Sequence, residues 1–187
     1  MEIETPIVVL IFGNNCAGKS TVGRELAARF TKGAFIEVDE LKYKIVGGLL
    51  RGPWEAKQMG RKPAAFVKQR LIADENAVIL ARNFATHGFS SVIEGLEDSH
   101  RPGTGWSESQ FGTLPVIQVL LMCDEETSQK RLTERGWEDH HLRPGFKRNR
   151  AWYLEHQYLF DLTVRTDKNS SEEAAELIFD AAKKLQR

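Results

Sequence analysis

Cysteine is scarce in this chain: Cys16 and Cys123 are the only two, too few to set a disulfide framework. A dominant charge is missing as well. Across 187 residues, 26 Lys plus Arg balance 26 Asp plus Glu, so no global field draws nucleic acid or an anionic membrane. No apolar run approaches the roughly 20 residues that span a bilayer. The opening Met1-Glu2-Ile3-Glu4 is acidic and its apolar run leads straight into a glycine loop, so no signal peptide is expected. That expectation, with the cysteine usage, points to a reducing cytoplasm. No internal repeat, low-complexity tract or long linker divides the sequence, and residues 1–187 are expected to form one domain large enough to bury a core.

What is present is a glycine loop. Gly13-Asn14-Asn15-Cys16-Ala17-Gly18-Lys19-Ser20, followed by Thr21, fits G-x-x-x-x-G-K-[ST] at every fixed position. The glycines let the backbone curl until successive N–H groups point at phosphate oxygens, and a following helix N-terminus favours the same anion. Lys19 adds a mobile cation for the β- and γ-phosphates, and the Ser20 hydroxyl can ligate Mg²⁺. The flanks agree with this reading. Pro6 to Phe12 is a continuous apolar run suited to a buried parallel strand, and Val22, Leu26, Ala27 and Phe30 recur afterwards at helical spacing. Cys16 occupies a variable position of the pattern and is assigned no catalytic role.

Five strand candidates, 6–12, 34–38, 90–94, 115–122 and 160–166, alternate with helical patterns, which implies a parallel sheet with helices on both faces. The spacing predicts helices over 63–87, 124–135 and 171–185, with Asp124 as an N-cap, and a loop that admits a short helix over 98–115. In such sheets ligands bind beyond the carboxyl ends of the strands. Strand two ends at Asp39, placed to accept a proton from a substrate hydroxyl or to help hold Mg²⁺ through water; its alternative is an N-cap for a helix starting at Glu40. Strand three ends in Glu94-Gly95, where an acid can stand near the metal or polarise a water or hydroxyl; its alternative is a strand-end charge in solvent.

Residues 131–150 carry six Lys and Arg against three acids, with Gly136, Pro144 and Gly145 among them. A mobile lid over about 136–150 is expected, with Arg143 and Arg148 inside it; Arg131 and Arg135 share a helical face before it. An acceptor region is expected over about 40–85. There residues 51–70 hold six basic residues against Glu55, suggesting an acceptor with a carboxylate or phosphate. Arg70 falls on the inward stripe of its helix and calls for an anionic partner, unless its stem packs there while its head reaches water. Trp54 either stacks on a ring of the acceptor or packs beneath the loop.

Taken together, the glycine loop, Asp39, Glu94 and the arginine-bearing segment resemble the small P-loop kinases, the group of shikimate kinase, gluconate kinase and chloramphenicol phosphotransferase. The stretch from His156 through Phe160-Asp161-Leu162-Thr163-Val164 to Thr166-Asp167 is similar to the last strand and helix of chloramphenicol phosphotransferase-like proteins. The resemblance implies a three-layer fold with sheet order 2-3-1-4-5 and a lid. It implies that Gly13 to Thr21 bind the ATP phosphates, that Asp39 activates a hydroxyl, and that Arg135 with Thr166-Asp167 lies near adenine. Strand two has Glu37-Val38-Asp39 where shikimate kinase has Asp-x-Asp. The expectation is therefore ATP- and Mg²⁺-dependent phosphoryl transfer to a hydroxyl of a small molecule, a sugar acid, an antibiotic or similar, with an anionic group suggested by the basic stretch 51–70. A nucleotide-binding regulatory module and a nucleotide or polynucleotide kinase remain as alternatives, the last disfavoured by the neutral charge.

Overall fold

The computed structural model describes residues 5–137 and 144–185. Five strands, β1 Val8–Phe12, β2 Gly33–Glu37, β3 Ser90–Glu94, β4 Val116–Met122 and β5 Leu162–Arg165, form one sheet of order β2-β3-β1-β4-β5. Every pairing is parallel. Central β1 is buried along its whole length, whereas edge strand β2 alternates buried and half-buried residues. This difference is expected of strands covered on both faces and of those at a rim. Ile11 is level with Glu94, and Glu37 with Glu94, so the carboxyl ends of the three strands finish side by side.

The pleat sorts the core into two halves. Ile7, Val9 and Ile11 pack with Val22 and Leu26 of α1 (Lys19–Arg29) and with Ala174, Ala175, Ile178 and Ala182 of α8 (Ser171–Lys184). On the other face, Val8, Leu10 and Phe12 meet Ala73, Ala77, Val78 and Ala81 of α4 (Ala64–Thr86), Phe111 of α5 (Trp106–Phe111) and Tyr153 of α7 (Pro144–Glu155). The helix ends follow local chemistry. Asp124 caps α6 (Glu125–Glu134) by accepting from the Thr127 N–H at 2.7 Å. Ser170 and Glu173 form a reciprocal capping box at the start of α8.

Two short helices lie on the rim, α2 (Val38–Lys42) and α3 (Pro53–Gln58). α2 removes the N-cap alternative expected of Asp39. The strand stops at Glu37 and the helix begins at Val38, so Asp39 stands in its first turn and is not an N-cap. The 98–115 stretch holds a 3-10 turn, Asp98–His100, as well as α5. No helix among the described residues is long and apolar enough to cross a membrane.

Gly33 shows how closely α1 lies on the sheet. A Cβ there would stand 1.9 Å from the Ala27 carbonyl oxygen, a backbone atom that cannot step aside. Gly33→Ala is therefore expected to destabilise the protein by about 1–3 kcal/mol or more, read as a lower urea midpoint at unchanged m. An unchanged midpoint would show that the α1–β2 junction yields freely.

Candidate active site

The glycine loop joins the end of β1 to α1. Gly13 has φ 138° and only 2.2 Å between its would-be Cβ and the Leu121 carbonyl oxygen, so no side chain fits there. Cys16 takes the left-handed conformation at φ 62° and is buried, and Gly18 (φ 89°) precedes the first turn of α1. Lys19 lies back over the loop, its Nζ donating to the Asn14 carbonyl at 3.2 Å. The Ser20 hydroxyl donates to Glu94 Oε1 at 2.8 Å. Glu94 is buried, so a charge turned to solvent is excluded; the strand end delivers its carboxylate to the serine of the loop. Its neighbour Glu37 is held above the usual carboxylate range, first by burial and then by the adjacent Glu94 charge.

Two cavities flank the loop. The first, about 340 Å³, is lined by Asn14, Asn15 and Lys19 from the loop, by Asp39, Glu94 and Glu97 at the strand ends, by Phe66 and Arg70 of α4, and by Asn149 and Tyr153 of α7. The second, about 350 Å³, is lined by Cys16, Gly18, Thr21, Arg131, Arg135, Thr166 and Asn169. Ala17 belongs to the loop's buried floor and accepts from the Thr166 hydroxyl at 3.0 Å.

Arg70 is the most heavily engaged cation in the first cavity. Its Nη1 donates to Asp39 Oδ1 at 2.7 Å, its Nη2 to the Gly95 carbonyl at 2.7 Å, and its Nε is ion-paired with Glu97. Burial opposes its charge, but Glu97 and Asp39 outweigh that effect and hold the guanidinium more firmly protonated than usual. The anionic partner that Arg70 requires is thus supplied from within the chain, which corrects the argument for an anionic acceptor built on it. The other five basic residues of 51–70, namely Arg51, Lys57, Arg61, Lys62 and Lys68, are exposed and do not line the cavity.

Arg135 closes α6 and lines the second cavity beside Thr166. Asp167 does not line it; two hydrogen bonds from Arg165, at 2.7 and 2.8 Å, turn its carboxylate aside and, as the first cause, hold it below the usual carboxylate range. Arg131 donates to the carbonyls of Cys16 and Thr166 at 3.2 and 2.8 Å and so braces the loop against the β5 turn. Arg143 and the side chain of Trp54 lie outside the described residues. The second half of the expected lid, from Pro144 onward, opens α7, a helix anchored by buried Tyr153.

Sequence reasoning missed Glu97, Asn149 and Tyr153. Glu97 follows Gly95 in a loop with no periodicity to mark it, and Tyr153 becomes an inward residue only once the register of α7 is known. Arg131 gave a signal, the face it shares with Arg135, but its bracing role depends on the distant Thr166.

No protein-family model matches the sequence, and no curated protein matches it. Solved structures do share its architecture. The APS kinase of Mycobacterium tuberculosis, in complex with AMPPNP and APS, superposes at TM-score 0.64 with 14% identity, over 97% of this chain and 99% of that one. The shikimate kinase of Acinetobacter baumannii, in complex with shikimate, gives 0.58 and 15%, over 97% and 95%. The tunicamycin resistance protein of Deinococcus radiodurans gives 0.61 and 18%, over 95% of each. At these identities the likeness is one of fold: the parallel sheet of order 2-3-1-4-5 with helices on both faces is that of the small P-loop kinases.

Proposed function

We propose that the protein is a kinase that transfers the γ-phosphoryl group of ATP, with Mg²⁺, to a hydroxyl of a small molecule. The observation that carries this reading is the first cavity, where Lys19 and Glu94 of the phosphate corner face Asp39 across one volume. A nucleotide-binding regulatory module has no need of a carboxylate opposite its phosphates.

In this reading the N–H groups of Gly13 to Thr21 hold the β- and γ-phosphates, and the second cavity takes the base between Arg135 and Thr166. The Ser20 hydroxyl and Glu94 carboxylate, already 2.8 Å apart, fit a cation that takes few protein ligands and several waters. Mg²⁺ held by Ser20 and Glu94 would neutralise charge on the phosphates. Asp39 accepts the hydroxyl proton as the acceptor oxygen bonds to the γ-phosphorus and the bond from that phosphorus to the β,γ-bridging oxygen breaks, releasing ADP. The lid expected over 136–150 would cover the phosphates, with Asn149 of α7 on the cavity wall and Arg143 among the charges that stabilise transfer. A protein fed by ATP in this way would work in the cytoplasm.

Arg70 then acts through Asp39. Arg70→Met should lower kcat by about tenfold or more, because the carboxylate loses the donor that aims it, while KM for ATP stays constant. A rise in acceptor KM alone, with kcat intact, would instead put the guanidinium on the acceptor. The reading as a whole is tested by ADP release over a panel of sugars, sugar acids, nucleosides and antibiotics, with the phosphorylated product identified by mass. Acceptor-dependent ADP release supports it; ATP binding without release for any acceptor leaves a nucleotide-binding module.

A further inference from the structure

We infer that the acceptor is an alcohol bearing an amine, and that Glu97 excludes acceptors bearing a carboxylate or phosphate. The inference rests on the kinase reading of the first cavity and names its substrate class.

The observation is how the ion pairs of the cavity wall are oriented. Arg70, with 17% of its side chain exposed, pairs with Asp39 at 50% and Glu97 at 25%. Arg101, at 10%, pairs with Asp98 at 47%, a cavity-lining residue, at 2.5 Å. In every pair the carboxylate is the open member and the cation stands behind it. Lys42, beside this group, is buried with its ammonium 4.4 Å from the ring centre of Phe66, and it does not line the cavity. The wall opposite the phosphate corner therefore shows carboxylate oxygens to whatever enters, although the charges behind it nearly balance.

Among the described residues, an acid entering this cavity finds no free fork to bind. Two sides of the Arg70 guanidinium carry carboxylates and Nη2 is spent on the Gly95 carbonyl. An incoming carboxylate would have to displace Glu97 and then lie against the charge it displaced, in a half-buried site where screening is weak. An ammonium meets the opposite situation. The second oxygen of Glu97, together with the Asp98 carboxylate, offers charge-assisted acceptors that need no rearrangement and leave Asp39 to the hydroxyl. Lys19 and Glu94 do not alter the balance, since in the kinase reading the phosphates and the metal would engage both.

Glucosamine, glucose and glucuronate share a ring and differ in charge, and can be titrated by NMR against the MgADP-bound protein at low salt. Glucosamine should bind about tenfold more tightly than glucuronate, with glucose between them, a factor that corresponds to about 1.4 kcal/mol. In Glu97→Gln the freed fork should tighten glucuronate by about tenfold and erase the advantage of glucosamine. Asp98→Asn, which leaves Arg70 alone, should weaken glucosamine without strengthening glucuronate; each variant is first checked for a wild-type melting profile. Glucuronate binding as tightly as glucosamine in the wild type, or three titrations that cannot be told apart, would overturn the inference. The kinase reading fails by a different measurement, the absence of acceptor-dependent ADP release from MgATP, because these titrations need no turnover. A reversed charge order would leave phosphoryl transfer standing.

Discussion

Lys19→Ala is expected to remove phosphoryl transfer, by about 10³-fold or more, and to leave the fold intact. The two halves of this expectation have separate causes. Lys19 is the first residue of α1, half-buried, and its Nζ contact in the structure is to a carbonyl of its own loop, so little packing depends on it. Alanine is the best helix former at such a position, and the melting temperature should stay within about 2 °C of the wild type. The ammonium, by contrast, is the cation of the glycine loop, and among the described residues the other cation lining the cavity, Arg70, is held by its own partners. Saturating MgATP, which stabilises a protein in proportion to the logarithm of its concentration over Kd, should therefore shift the melting of the wild type far more than that of the variant. Wild-type turnover in Lys19→Ala would remove the phosphate-loop assignment. Loss of turnover with a collapsed melting profile would instead mean that Lys19 holds the fold.

The parts of this molecule legible in the sequence are those whose cause is local. The run Pro6 to Phe12 could only be a strand covered on both faces, and the G-x-x-x-x-G-K-[ST] spacing marks its own turn, so β1, the loop and α1 fall where the residues place them. The α4 stripe shows equally well, because Ala73, Ala77 and Ala81 recur every four residues whatever lies opposite. The boundary at Asp39 was harder. Val38 is β-branched and reads as strand, yet the sheet partner of Glu37 is Glu94, the last residue of β3, and the ladder ends there. Arg70 illustrates the limit most clearly. A guanidinium on an apolar stripe announces that it needs an anion, and the sequence could say no more. Its partners come from the β2–α2 junction and the loop after β3, two places that become neighbours only when parallel strands finish level. The same non-local assembly hid Glu97 and Tyr153, which are unremarkable in their own segments.

Asp39→Asn should cut kcat by about 10²-fold or more with little change in KM for ATP. The substitution suits the geometry. Asn retains the side-chain oxygen that accepts from Arg70 Nη1 at 2.7 Å, and Glu97 keeps the guanidinium paired, so the wall of the cavity should hold its shape. What disappears is the ability to take a proton from the acceptor hydroxyl, because a neutral amide oxygen is a far weaker base than a carboxylate. The phosphate loop is untouched, and its backbone N–H groups continue to hold the nucleotide as before. Three measurements together identify the role: kcat, KM for ATP and the stoichiometry of bound nucleotide. A fall in kcat alone marks a base. If ATP binding collapses while turnover per bound enzyme survives, Asp39 serves the metal or the fold, and the proton must leave the hydroxyl by another route.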